Sequence, residues 1–154
     1  MIRFKGGQAP VTEERLLQFE AKIGATLPLD YRTFLLEQNG GRPDVAAFRF
    51  GTNVYQDSCV DYFYALYSGE SLRLDSAYDN FREWQRTPPD LIPIACDPGS
   101  SQICLGIAGS NRGKVLFWDY EHEPEAEEGE PRNYENVFHV ANSFTEFLRQ
   151  LSLK

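Results

Sequence analysis

Apolar residues recur at helical spacing in the first third of the chain. Thr12 precedes Glu13 and Glu14, a hydroxyl that can take up free amides and two acids set against the positive end of a helix. Leu16, Phe19 and Ile23 follow on one face, and Gly24 predicts the stop because it accepts the left-handed backbone that ends helices. A second helix is predicted from Leu27-Pro28-Leu29-Asp30, with proline in its first turn. Tyr31, Phe34, Leu35 and Gln38 continue one face until Asn39-Gly40-Gly41. Between Ala46 and Tyr67 the texture turns aromatic and β-branched, broken at Gly51, Asn53 and Asp57, which predicts one or two short strands. Helical spacing returns with Leu72, Leu74, Ala77, Tyr78, Phe81 and Trp84, for a helix that begins between Ser71 and Ser76 and ends at Thr87-Pro88-Pro89-Asp90.

Three strands are predicted next, Leu91 to Cys96, Gln102 to Ile107 and Lys114 to Tyr120. Asp97-Pro98-Gly99-Ser100-Ser101 between the first two reads as an Asx-type turn, and Gly109 to Gly113 as a hairpin loop, so the simplest arrangement is an antiparallel meander. In the third strand Val115 and Phe117 alternate with Leu116, Trp118 and Tyr120, which predicts that both faces are covered. After Pro131 apolar residues return at Val137, Phe138 and Val140. Ser143-Phe144-Thr145-Glu146 then forms a capping box for a last helix whose Phe144, Phe147, Leu148 and Leu151 face the sheet. Helices, then a meander, then a closing helix predict an α+β domain with helices gathered on a mostly antiparallel sheet.

Composition narrows the function. The chain has 154 residues, 42% hydrophobic, which suits one domain over 1–154, and its formal charge is -8 at pH 7. Such a balance argues against binding nucleic acid through phosphates or docking on an anionic membrane, because both need a basic surface. Cys59, Cys96 and Cys104 contain no CxxC pair, and no apolar run has signal-peptide or membrane-span length, so the expected compartment is the cytoplasm. The charge is unevenly placed. From Asp119 to Glu135 there are eight acids against one base, Arg132, whereas the remaining chain is nearly balanced, with 15 acids and 14 bases. With Pro124, Gly129 and Pro131 in it, this stretch reads as an exposed acidic loop insertion at about 121–135, either a solvated excursion or a docking surface for a basic partner.

Catalytic signatures are absent: no GxxxxGK[ST], GxSxG, HExxH or GxGxxG. A Cys–His nucleophile would need His122 or His139 beside a cysteine, yet Cys96 and Cys104 fall in predicted core strands. Asp119, Glu121, His122 and Glu123 carry metal-ligating groups, but acids in an acidic loop need no metal to explain them. Asp97 is read as capping its own turn, and Trp84 and Trp118 as core or half-buried residues. No enzyme, no cofactor and no metal is therefore expected.

Three ordered motifs carry a resemblance. Leu27-Pro28-Leu29-Asp30-Tyr31-Arg32-Thr33-Phe34-Leu35-Leu36-Glu37-Gln38-Asn39-Gly40-Gly41 resembles the LPxDYxxFLxxxNGG helix of the SUKH superfamily, Smi and Knr type. Leu91 to Gly99, Ile103-Cys104-Leu105 and Gly113 to Glu121 look like that family's IPIAxDxGGNxICL…GxVYFWDHE pattern, and Ser143 to Leu148 matches its closing SFxEFL helix. The resemblance runs from about Thr12 to Leu151. It departs at Ser100-Ser101-Gln102, at Tyr120 and in the acidic stretch after Glu121.

The resemblance implies helices around a central sheet and a non-enzymatic role: bacterial members are typically immunity proteins that neutralise a cognate toxin domain, often a nuclease. The expected partner is then a toxin domain with a basic surface, met by Asp119, Glu121, Glu123, Glu127, Glu128 and Glu130, with Tyr55, Tyr62 and Tyr64 as apolar anchors. The alternative is an intracellular scaffold or regulatory protein-binding module unrelated to toxins, as in eukaryotic relatives.

Overall fold

The chain's structure, a computed structural model, describes residues 2–51, 55–68, 73–127 and 129–153. In it the order is β1 (Phe4–Lys5), α1 (Glu13–Ile23), α2 (Leu29–Glu37), β2 (Arg42–Pro43), β3 (Ala47–Phe50), β4 (Gln56–Cys59), β5 (Tyr62–Phe63), α3 (Leu74–Glu83), β6 (Leu91–Cys96), β7 (Gln102–Gly106), β8 (Val115–Trp118), β9 (Val137–Ala141) and α4 (Phe144–Gln150). The fold is α+β, with every strand pairing antiparallel.

The helix punctuation works as the sequence implies. Thr12 Oγ1 accepts the Arg15 amide at 3.2 Å, and Gly24 closes α1 at φ 69°. Ser143 Oγ accepts the Glu146 amide at 3.0 Å to start α4, while the Glu146 carboxylate reaches back to the Asn142 amide. Asp30 ties two helix starts together, its Oδ1 accepting the Tyr31 amide and its Oδ2 accepting both the amide and the hydroxyl of Thr145. The start of α3 at Leu74 lies within the expected window; Ser71 and Leu72 fall outside the described residues.

β5 to β9 form a five-stranded sheet in strictly sequential order. At its centre the alternation holds. Ile103, Leu105, Val115 and Phe117 join the large core beneath α1, α2 and α4, whereas Cys104, Leu116 and Trp118 face away into a smaller cluster closed by Phe81 of α3. Phe144 and Phe147 of α4 are fully buried against the sheet, each stabilising the fold by roughly 2 kcal/mol through burial. Proline inside β6 is tolerated because the register shifts there, from Pro93 opposite Cys104 to Ala95 opposite Ile103, so one residue bulges out of the ladder.

The stretch from Ala46 to Tyr67 holds three strands rather than one or two. β3 and β4 form a separate hairpin that lays Phe48 and Phe50 over Phe117, at ring separations of 5.6 and 4.2 Å, and β5 is an edge of the main sheet. Asn53 lies outside the described residues. Strand β8 stops at Trp118, two residues before the expected end, and the chain turns through a short 3-10 segment at Tyr120–His122. That early stop brings Tyr120 to 48% exposure.

Candidate protein-binding interface

The acidic stretch is a closed loop. The Asp119 amide donates to the Asn136 carbonyl at 2.9 Å, and Asn136 Nδ2 donates to the Asp119 carbonyl at 2.9 Å, so the ends of β8 and β9 are pinched together. What lies between is an Ω-like excursion whose feet are fixed by sheet pairing.

Each limb is fastened to the tail of α3. On the rising limb, Arg86 makes a bidentate pair with Glu123 at 2.9 and 3.1 Å, and Arg132 approaches the same carboxylate at 3.9 Å. The Arg86 guanidinium sits 4.8 Å from the Trp118 ring centre, 4.9 Å from Phe81 and 5.7 Å from Tyr120, so a planar cation is packed among three aromatic rings. Trp118 Nε1 donates to the Arg86 carbonyl at 2.9 Å. On the descending limb, the Tyr134 hydroxyl donates to the Gln85 carbonyl at 3.0 Å.

The fastening divides the expected contact residues. Asp119 is buried, its carboxylate accepting the Glu121 amide at 3.1 Å and facing His122 Nδ1 at 2.6 Å; it caps the 3-10 turn. Glu123 is engaged by Arg86. Glu121, Glu127 and Glu130 are exposed, as are Glu125 and Glu135, and Glu128 falls outside the described residues. Among the tyrosines, Tyr55 is 62% exposed, but Tyr62 and Tyr64 are 8% and 6% exposed and are not offered to a partner as anchors. The reason is their place on the sheet edge: the Arg42 guanidinium covers the Tyr62 ring at 5.4 Å, and the Tyr64 hydroxyl donates to Gln102 Oε1 at 2.6 Å.

Sequence periodicity also misplaces Trp84. Helix α3 ends at Glu83, and the next residue but one, Gln85, adopts a left-handed φ of 51°. Trp84 therefore leaves the buried face its spacing suggests and stands 62% exposed, directly before the two fastened residues Gln85 and Arg86, whereas Trp118 is fully buried. A helix boundary one turn earlier than the Pro88-Pro89 stop is the signal that was lacking.

The groups weighed for chemistry are otherwise engaged. His122 Nδ1 faces Asp119, and His139 Nε2 faces Asn142 Oδ1 at 2.9 Å. Burial pushes the Cys104 and Cys96 thiols up from their ordinary value, which disfavours the thiolate. Among the described residues no three of His, Cys, Asp and Glu converge as a metal site requires. A groove of about 860 Å³ between the β3–β4 hairpin and the C-terminal segment is lined by the Arg49–Asp57 ion pair, Ser58, Cys59 and Gln150, without a histidine. No helix among the described residues is long and apolar enough to cross a membrane.

Comparison with known proteins agrees with the motifs. The sequence model of the SMI1 / KNR4 family (SUKH-1) matches residues 10–150. The SPbeta prophage-derived uncharacterized protein YokK of Bacillus subtilis (strain 168) is 30% identical over 159 aligned positions, which cover 91% of this chain and 74% of that protein. Helices in the expected places, a sequential antiparallel sheet between two apolar clusters, and a family match over nearly the whole chain lead to one conclusion: this protein belongs to the SMI1 / KNR4 family (SUKH-1).

Proposed function

We propose that the protein is an immunity protein, acting in the cytoplasm, that binds a cognate toxin domain through a basic surface and blocks it by occlusion. The observation that carries this reading is the fastened acidic loop. Two of its carboxylates, on Asp119 and Glu123, are used to hold it in place, and at least five others are turned to solvent. A preorganised carboxylate array steers a basic partner, and a cluster of carboxylates can imitate the phosphates that a nuclease recognises. Family membership supports a binding role, and the similar prophage-derived protein supports a setting in which competing genomes meet.

The test is co-expression with the product of the neighbouring gene. Rescue of growth by this chain, together with a stable purified complex, is the expected outcome. Stable expression of both products without rescue or complex would overturn the immunity reading and favour the scaffold alternative.

A further inference from the structure

We propose that Trp84 is the apolar anchor of the partner-binding face and seats in a recess on a basic protein surface; this rests on the reading of the chain as a binder of a basic partner. An indole left 62% exposed costs solvation free energy without any ring contact in return among the described residues. Its position is nonetheless held. The Gln85 amide donates to Arg82 and the Arg86 amide to Phe81, so Trp84 lies inside two hydrogen-bonded turns, and the residues after it are gripped by Tyr134 and by the aromatic rings around Arg86. A side chain presented on fixed backbone loses little freedom on binding.

The surroundings match the composition of an interaction centre. Tyr120, 48% exposed, lies across the Arg86 guanidinium, and exposed acids stand on both limbs of the loop that Gln85 and Arg86 fasten, Glu121 and Glu125 on one and Glu130 and Glu135 on the other. Aromatic anchors within a polar, charged rim are the arrangement in which a few residues supply most of an interface's affinity. The rim chooses the occupant. A nucleic acid or a second copy of this chain would bring negative charge against negative charge, whereas a basic protein face would neutralise it.

The experiment titrates the polypeptide encoded by the neighbouring gene against the wild-type chain, Trp84→Ala and Trp84→Phe, with acrylamide quenching of tryptophan fluorescence read in the free protein and, after subtraction of the partner's own emission, in the complex. Trp118 is fully buried, so the quenchable emission of the free chain belongs to Trp84. Expected are an affinity loss of about thirtyfold or more for Trp84→Ala, a smaller loss for Trp84→Phe, unchanged melting temperatures, and shielding of Trp84 in the complex. Binding by Trp84→Ala within twofold of wild type, or a Trp84 still fully quenched in the complex, overturns this inference and leaves the proposed function standing. Shielding that grows with concentration in the free protein shows that a second copy covers the face and overturns it too. If the wild-type chain does not bind that polypeptide even at low salt, both readings fall.

Discussion

Two buried polar side chains of the first motif, Leu27 to Gly41, have opposite prospects. Asn39, fully buried at φ 42°, donates from Nδ2 to the Ala9 carbonyl and accepts the Leu66 amide at Oδ1, both at 2.8 Å, so it joins three segments that are distant in sequence. Asn39→Ala leaves the Leu66 amide unpaired in the interior and unties the Ala9 carbonyl, and should cost about 2 kcal/mol, read as a lowered urea midpoint. Tyr31 is equally buried, yet its hydroxyl has no hydrogen-bond partner among the described residues, and burial pushes the phenol well above its ordinary range. Tyr31→Phe removes a polar atom without orphaning another, so the midpoint should stay or rise slightly. His122 makes a pH-dependent contact. Its hydrogen bond to the Asp119 carboxylate, and then the charge of that group, raise the imidazole above 6.5. The contact's stabilising contribution is full below the unfolded value, and it fades as pH rises through the higher folded one. An NMR titration should place the His122 midpoint above 6.5, and Asp119→Asn should bring it down.

At the scale of elements, the Arg86–Glu123 pair decides whether the acidic loop is an ordered surface. Arg86→Ala removes the bidentate pair and the stacked cation while leaving the Asp119–Asn136 pinch. Hydrogen exchange over residues 121–127 should accelerate several-fold, with β8 and β9 little changed. None of that latch is visible in sequence, because Arg86 and Glu123 are separated by 37 positions and each reads alone as a surface charge. Other elements were legible because their signals are local. Thr12 and Ser143 mark helix starts through bonds made within three residues, and β6, β7 and β8 declare themselves by buried apolar runs between turn residues. Strand β9 does not. It is half-exposed, and His139 interrupts its apolar residues, so only pairing with β8 defines it. The two-residue strands β1 and β2 are likewise products of long-range pairing, with nothing periodic to detect. Tyr62 and Tyr64 looked available because an aromatic segment with weak periodicity conceals whether it lies at a sheet edge or in a loop.

At the scale of the whole molecule, charge and shape are separate properties. The nearly neutral body carries the fold, and the loop carries most of the formal charge of -8. Changing exposed loop acids should therefore alter association without altering folding. The triple variant Glu121→Gln, Glu127→Gln, Glu130→Gln should keep the wild-type melting temperature within a few degrees, bind the neighbouring gene's product more weakly at low salt, and flatten the dependence of association rate on ionic strength. An association rate with the same salt dependence as wild type would place the electrostatic contact elsewhere on the surface. The pinch between Asp119 and Asn136 extends this separation to the history of the chain. With the ends already joined, lengthening the segment between them changes only loop-closure entropy, about 0.6 kcal/mol for each doubling. Insertions, deletions and charge changes there can accumulate without disturbing the sheet, so related chains can diverge at this one place while inheriting an unaltered scaffold.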